Sequence, residues 1–157
     1  MILRLYKRGE KMREIKFRGY DTKLNQWIYG FYIKHINATL NPFGSTEEEI
    51  KEWYKEHTKH YIVQDGFSDW GMPRGLQFNE VDEYSVGQFT GIKDCNGRDI
   101  YEGDFVKYKD KIGYVDFLFG SFSIVLEEEN ISLYEVFIGD KKIEVVDNLY
   151  EKGRREE

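Results

Sequence analysis

The sequence predicts an α+β fold dominated by antiparallel strands, in which an N-terminal β-rich region carries one inserted helix and the C-terminal half curls into a small barrel. Three observations carry this. Residues 86–106, VGQFTGIKDCNGRDIYEGDFV, set two glycine-marked turns between apolar–polar alternations. Residues 102–126 repeat a strand–turn–strand rhythm of period two, the pattern of half-buried strands. Between 45 and 59 the apolar residues recur instead at helical spacing.

The elements follow in order. Ile15-Lys16-Phe17-Arg18 alternates apolar and charged residues and reads as a first strand, followed by a turn at 21–25. Trp27, Tyr29, Phe31 and Ile33 then alternate with Ile28, Gly30, Tyr32 and Lys34, giving a long strand with one strongly aromatic face. Such a face can stack bases, but core packing is the better reading because the other side of the strand, with Lys34 alone, lacks the basic residues expected of such binding. NPFG at 41–44 is a loop. Ser45 is placed to cap the helix 45–59, with Glu48 reaching back to it and Glu47, Glu48 and Glu49 suited to the positive end of the helix dipole. Ile50, Trp53, Tyr54 and His57 form its stripe, and Tyr61-Ile62-Val63 begins the next strand.

Residues 65–77, DGFSDWGMPRGLQ, read as a long loop, and long loops inside compact domains are often contact regions. Trp70 and Arg74 are residue types that anchor interfaces, so they are the candidate contacts. Asn96-Gly97 suits a two-residue hairpin with positive φ at both central positions, and Glu102-Gly103-Asp104 bends the chain between two apolar pairs. Strands are expected at 102–108, 111–117, 121–126, 132–137 and 142–146, with an acidic turn at 127–130. The expected core is Phe17, Trp27, Tyr29, Phe31, Trp53, Ile62, Ile100, Val106, Val115 and Val145.

Composition fits a compact protein of a reducing compartment. Of 157 residues 40% are hydrophobic and 17% aromatic, enough for a core. The single cysteine, Cys95, has no internal disulfide partner, and no apolar run approaches the ~20 residues of a membrane span. A cytoplasmic location is expected. The net charge of −6 is unevenly placed. Residues 1–18 hold seven Lys/Arg against two acids, residues 19–79 six against eight, and residues 80–157 ten against nineteen. An acidic C-terminal half argues against a general nucleic-acid surface there, because phosphate contacts need concentrated positive charge. The basic start, through Arg13, Lys16 and Arg18, is the candidate nucleic-acid contact; charged residues that discourage edge pairing are the plainer reading.

No catalytic constellation stands out: there is no phosphate-binding glycine loop with its lysine, no GxSxG, no HExxH and no Cys–His arrangement. Asp94, Asp99, Glu102 and Asp104 miss the spacing of a calcium loop and read as turn carboxylates. His57 and His60 stand three apart but lack further histidine or cysteine ligands nearby, so no metal and no cofactor is assigned.

The run VGQFTGIKD-NGRDIYEGDFVKY resembles the central signature of the YopX family. REIKFRGYDTKLNQWIYG is similar to that family's opening and IEVVDNLYE to its closing strand, so the resemblance spans residues 13–151. It departs where the family carries a glycine before the closing asparagine and a proline soon after; here Asp147-Asn148 is followed by Lys152-Gly153-Arg154. The resemblance implies an SH3-like barrel in the C-terminal half and a phage or prophage of Gram-positive bacteria, and it implies no catalytic residues.

The expected organisation is therefore a segment 1–11, an N-terminal region 12–88, a C-terminal SH3-like barrel 89–151 and a tail 152–157. Met12 opens the family-like stretch, and Lys7 to Lys11 can be encoded by a purine-rich tract resembling a ribosome-binding site; translation is expected to start at Met12, with 1–11 an over-extended frame or a disordered arm. The function expected first is a non-catalytic interaction module that binds a protein partner or a second copy of itself as a homo-oligomer. A nucleic-acid-associated β-barrel using the basic N-terminal region comes second, and an unrecognised hydrolase third.

Overall fold

The computed structural model describes residues 14–37, 46–66, 75–139 and 142–156. Among the described residues the fold is mainly antiparallel β with three short α-helices, an α+β fold built on two sheets. In the first, β1 (Phe17–Asp21), β2 (Gln26–Ile36), β3 (Thr58–Asp65), β4 (Leu76–Glu80), β5 (Gly87–Lys93) and β6 (Asp99–Tyr101) stand in the order β4-β3-β2-β1-β5-β6. In the second, β7 (Asp104–Tyr108), β8 (Lys111–Leu118), β9 (Ser121–Val125), β10 (Asn130–Ser132) and β11 (Ile143–Asn148) stand in the order β10-β9-β8-β7-β11.

Local chemistry explains most of these boundaries. The first hairpin turns at the predicted place because the Asp21 carboxylate accepts the backbone N–H groups of Lys23 and Leu24 at 2.8 and 2.9 Å, and Asn25 takes a positive φ of 54°. Helix α1 (Glu47–His57) carries a capping box, but one residue beyond the predicted one: Thr46 and Glu49 exchange side-chain-to-backbone bonds, and Ser45 lies outside the described residues. The helix also stops short of Lys59. Ile36 pairs with Thr58 and Lys34 with His60, so the β2–β3 ladder captures those residues before Tyr61.

The Asn96-Gly97 hairpin is one residue longer than expected. Gly97 N–H donates to the Asp94 carbonyl at 3.0 Å and Asp94 N–H to the Arg98 carbonyl at 2.8 Å. Only Gly97 takes positive φ, at 80°, so this is a three-residue loop whose last residue is left-handed. The bend at Gly103, φ 82°, falls where predicted.

The second sheet differs from a closed barrel. Its outer strands β10 and β11 do not pair, and α2 (Leu133–Ile138) joins them, closing the apolar face with Leu133 and Val136. A strand had been expected at 132–137; the three-residue spacing of Leu133 and Val136 buries both on a helix. The last segment is helical too. In α3 (Leu149–Glu156) Asn148 accepts the N–H of Glu151 at 2.9 Å, so Asp147-Asn148 starts a helix without the family's glycine and proline. The expected division at residue 88 falls inside β5, which pairs with β1 through Gly87 and Gln88.

Two cores result. The larger joins Val106, Tyr108, Val115, Phe122, Ile124, Ile143 and Val145 of the second sheet to Leu126 just after β9, to Leu133 and Val136 of α2 and to Ile100 of β6. The smaller holds Ile28, Ile62 and Val81, with Phe17, Tyr32 and Val86 packed at its edge. Of the predicted core, Ile62, Ile100, Val106, Val115 and Val145 are buried, and Phe17, Trp27 and Trp53 are half-buried. Tyr29 and Phe31 are not in the core: they are 47% and 67% exposed.

Candidate functional site

The period-two alternation of β2 fixes which residues share a face, and cross-strand register carries that face across the sheet. Phe31 stands opposite Val63, and Val63 opposite Phe78; Ile33 stands opposite Tyr61. The inner face is decided by close backbone approach. A Cβ on Gly30 would lie 2.3 Å from the Val63 carbonyl oxygen, and one on Gly19 2.7 Å from a methyl of Val81. With glycines there, Ile28, Ile62 and Val81 pack inward with Tyr32 at their edge, and Trp27, Tyr29 and Phe31 of β2 point the other way. Phe31, Ile33, Leu76 and Phe78 are all exposed, around a buried Val63.

One end of this outer face is covered. Trp27 Nε1 donates to Glu151 Oε1 at 2.8 Å, and its ring packs edge-on against Tyr20 and Tyr150, with centroids at 5.4 and 5.8 Å. Helix α3 thus closes the Trp27 end and leaves the Phe31–Phe78 end open.

Between the two ends lies an ionic cluster that ties the sheets together. Arg18 of β1 is 6% exposed and Asp104 of β7 1% exposed, with Nη1 and Oδ1 2.6 Å apart. Arg18 Nη2 also donates to the Glu102 carbonyl at 3.4 Å, while its Nε is buried without a hydrogen-bond partner. The guanidinium stacks between Trp27 and Tyr101, 4.7 and 5.0 Å from their ring centroids. Burial pushes the Asp104 carboxyl above its ordinary value despite Arg18 and the Tyr101 N–H pulling it down.

Beside this pair Lys16 donates to Asp99 at 2.6 Å, and Lys93 binds the same carboxylate. Burial pushes the Asp99 carboxyl up, but the two lysines outweigh it and hold the group below the usual range; the bond to Asp99 in turn raises Lys16. Arg98 is exposed on the same hairpin.

The structure places the sequence candidates unevenly. Arg13, Trp70, Arg74 and Met12 lie outside the described residues. Lys16 lies at the edge of the outer face. Arg18 is a correction: it is buried and balanced by Asp104, so it does not stand at the surface where a phosphate backbone would meet it. The four turn carboxylates do not converge. Asp94 accepts the backbone N–H groups of Asn96, Arg98 and Val145, Asp99 binds two lysines, and Asp104 binds Arg18. His57 Nδ1–H donates to the Trp53 carbonyl at 2.8 Å, whereas His60 Nδ1 lies 2.7 Å from the Tyr32 hydroxyl. Among the described residues no group of three His, Cys, Asp or Glu side chains could hold a metal. Sequence reasoning missed Lys93 and Arg98, which reach Lys16 only through the β1–β5 and β5–β6 pairings; their one local signal is that both flank the Asn96-Gly97 turn.

Fold and site together define a two-sheet antiparallel β protein with an open aromatic face and a buried ion pair between its sheets. The family model described as YopX protein matches residues 16–155, nearly the whole chain, and the protein belongs to that family. A comparison with curated proteins finds no match. Among the described residues no helix is long and apolar enough to cross a membrane.

Proposed function

We propose that this YopX-family protein is a phage- or prophage-encoded, non-catalytic interaction module whose working surface is the open face of the six-stranded sheet, and that the partner on that face is a second copy of the chain. The carrying observation is the exposure of Phe31 and Phe78 at 67% and 56% on either side of a buried Val63. Large rings projecting from one face of a sheet on either side of a buried residue mark an interaction site rather than scattered surface apolarity. A two-fold pairing brings one patch against its own copy, so a single surface suffices for both partners.

Multi-angle light scattering across a concentration series tests the reading. The wild-type chain is expected to reach at least twice the monomer mass, and a Phe31→Ser/Phe78→Ser double variant is expected to stay monomeric with its fold intact by circular dichroism. A wild-type chain that remains monomeric at the highest concentration overturns it. Partner capture that disappears after nuclease treatment would favour the nucleic-acid reading instead.

A further inference from the structure

The corner where β1, β2, β5 and β6 meet forms an open cleft of about 390 Å³. Four cationic side chains line it, Lys16, Arg18, Lys93 and Arg98, against one acid, Asp99. Arg18 is neutralised from beneath by Asp104. Lys16 and Lys93 share the Asp99 carboxylate, with Glu14 3.8 Å from Lys16 at the rim. Among the described residues Arg98 makes no ion pair. The cleft is therefore a local excess of positive charge on a chain whose net charge is −6. Like charges held together this way repel unless an anion joins them.

The wall of the cleft is aromatic. Tyr29, 47% exposed, and Tyr101 line it with ring centroids 5.7 Å apart. Phe31 follows Tyr29 on the same face, about 7 Å further along the strand. A ring of Tyr29's size at the surface beside cations can take the flat face of a base, while Lys and Arg meet the attached phosphate.

We propose that this cleft binds a phosphate carried by a planar heteroaromatic group, either a free nucleotide or one nucleotide unit of a single strand, with Lys93 and Arg98 on the phosphate and Tyr29 against the base. Lys93 reaches the ligand by swinging away from Asp99, which keeps Lys16 as its counter-ion. The site borders the self-association face through Tyr29, two residues from Phe31 on β2, while its phosphate-binding Lys93 and Arg98 lie apart on the β5–β6 hairpin.

Isothermal titration calorimetry of the full chain at low salt tests this with four probes: AMP, adenosine, inorganic phosphate and a short oligo-dT. AMP is expected to bind at least ~10-fold more tightly than adenosine or phosphate alone, since each supplies half of the contacts. Arg98→Gln and Lys93→Gln should each weaken AMP by about 10-fold, as loss of one charge-assisted contact would. Tyr29→Leu should weaken AMP and leave phosphate unchanged. Oligo-dT binding more tightly than AMP, with a steeper salt slope, identifies the strand as the source; equal affinity identifies the free nucleotide. Absence of saturation by AMP and oligo-dT at millimolar concentration, equal binding of AMP and adenosine, or unchanged AMP affinity in Arg98→Gln overturns the proposal. The Phe31→Ser/Phe78→Ser variant retains the cleft, so AMP binding in that background separates a failure of this site from a failure of self-association. Lys93 and Arg98 are exposed, and matching thermal midpoints confirm that their variants fold.

Discussion

The five-stranded sheet and the six-stranded sheet use their apolar residues in opposite ways. The five-stranded sheet turns Val106, Val115, Ile124 and Val145 toward one another, and α2 covers them with Leu133 and Val136. The six-stranded sheet buries only Ile28, Ile62 and Val81 fully in its own cluster and leaves Tyr29, Phe31, Ile33, Leu76 and Phe78 at the surface. Mostly aliphatic residues thus hold the second sheet together, while Tyr29, Phe31 and Phe78 of the first remain at the surface. High aromatic content is a poor guide to burial here. The direction of β2 is set by Gly19 and Gly30, which admit close contacts that no larger residue could make.

If the second sheet supplies most of the stability, the first must be fastened to it, and beside Ile100 in the larger core the buried Arg18–Asp104 pair is the ionic part of that fastening. Arg18→Met keeps much of the side-chain volume but leaves Asp104 buried without its cation. Removing one partner of a buried ion pair typically costs about 3–5 kcal/mol, and this is the largest effect expected of any substitution considered. Urea unfolding should show the midpoint falling sharply. A loss below ~1 kcal/mol would mean that the two sheets hold together without the pair.

The next effect is local to the loop that carries Lys93 and Arg98. Gly97 has φ 80°, and a Cβ built there meets nothing within 4 Å, so the cost of Gly97→Val comes from the backbone alone. A β-branched residue forced into positive φ costs about 1 kcal/mol or more. An unchanged unfolding midpoint would show that the loop can adopt another turn at no cost.

Much of this fold was legible because its punctuation is local. Asp21 to Asn25, Gly97 and Gly103 turn the chain where their side chains or their φ values permit, and helix α1 begins with acids at its N-terminus as its sequence indicates. What escaped reading depends on distant partners. Alternation divides β2 into two faces without saying which is inward, and the answer lies in the Val63 carbonyl and the Val81 side chain against Gly30 and Gly19. Arg18 looked like a surface cation because Asp104 is 86 residues away in the chain and only 2.6 Å away in space. The candidate cleft was hidden for the same reason, since Lys16 meets Lys93 only after β1 has paired with β5.

Two buried aspartates in the stretch 94–104 sharpen the contrast through pH. Burial pushes the Asp94 carboxyl up, but the N–H groups of Arg98, Val145 and Asn96 outweigh it and hold the group below its ordinary value. Asp94 therefore contributes stability that is full above about pH 4 and is lost as pH falls through its folded pKa. Asp104, raised by burial, acts with the opposite sign: its contribution is full below about pH 4 and is lost as pH rises through its folded pKa. The two act on opposite sides of about pH 4: Asp94 weakens the fold as pH falls below that value, and Asp104 as pH rises above it. Asp94→Asn should lower stability more at pH 7 than at pH 2.5 in urea titrations. A destabilisation that is the same at both values would show that the carboxylate charge does not contribute.

The smallest expected change in stability comes from the most conspicuous side chain of the first sheet. Phe31 is 67% exposed, so Phe31→Ser gives up little burial in the isolated chain and should alter its unfolding free energy by no more than about 0.5 kcal/mol. In a self-associated chain the ring is covered, and the same substitution then removes a contact that depends on concentration. The two situations are separated by measuring thermal midpoints of wild type and variant at low and high protein concentration. Curves that coincide at low concentration and diverge at high concentration are expected, with the wild type gaining the stability. A large loss at every concentration would place Phe31 in the monomer's own packing and remove the distinction between a buried core and an exposed aromatic face on which the comparison of the two sheets rests.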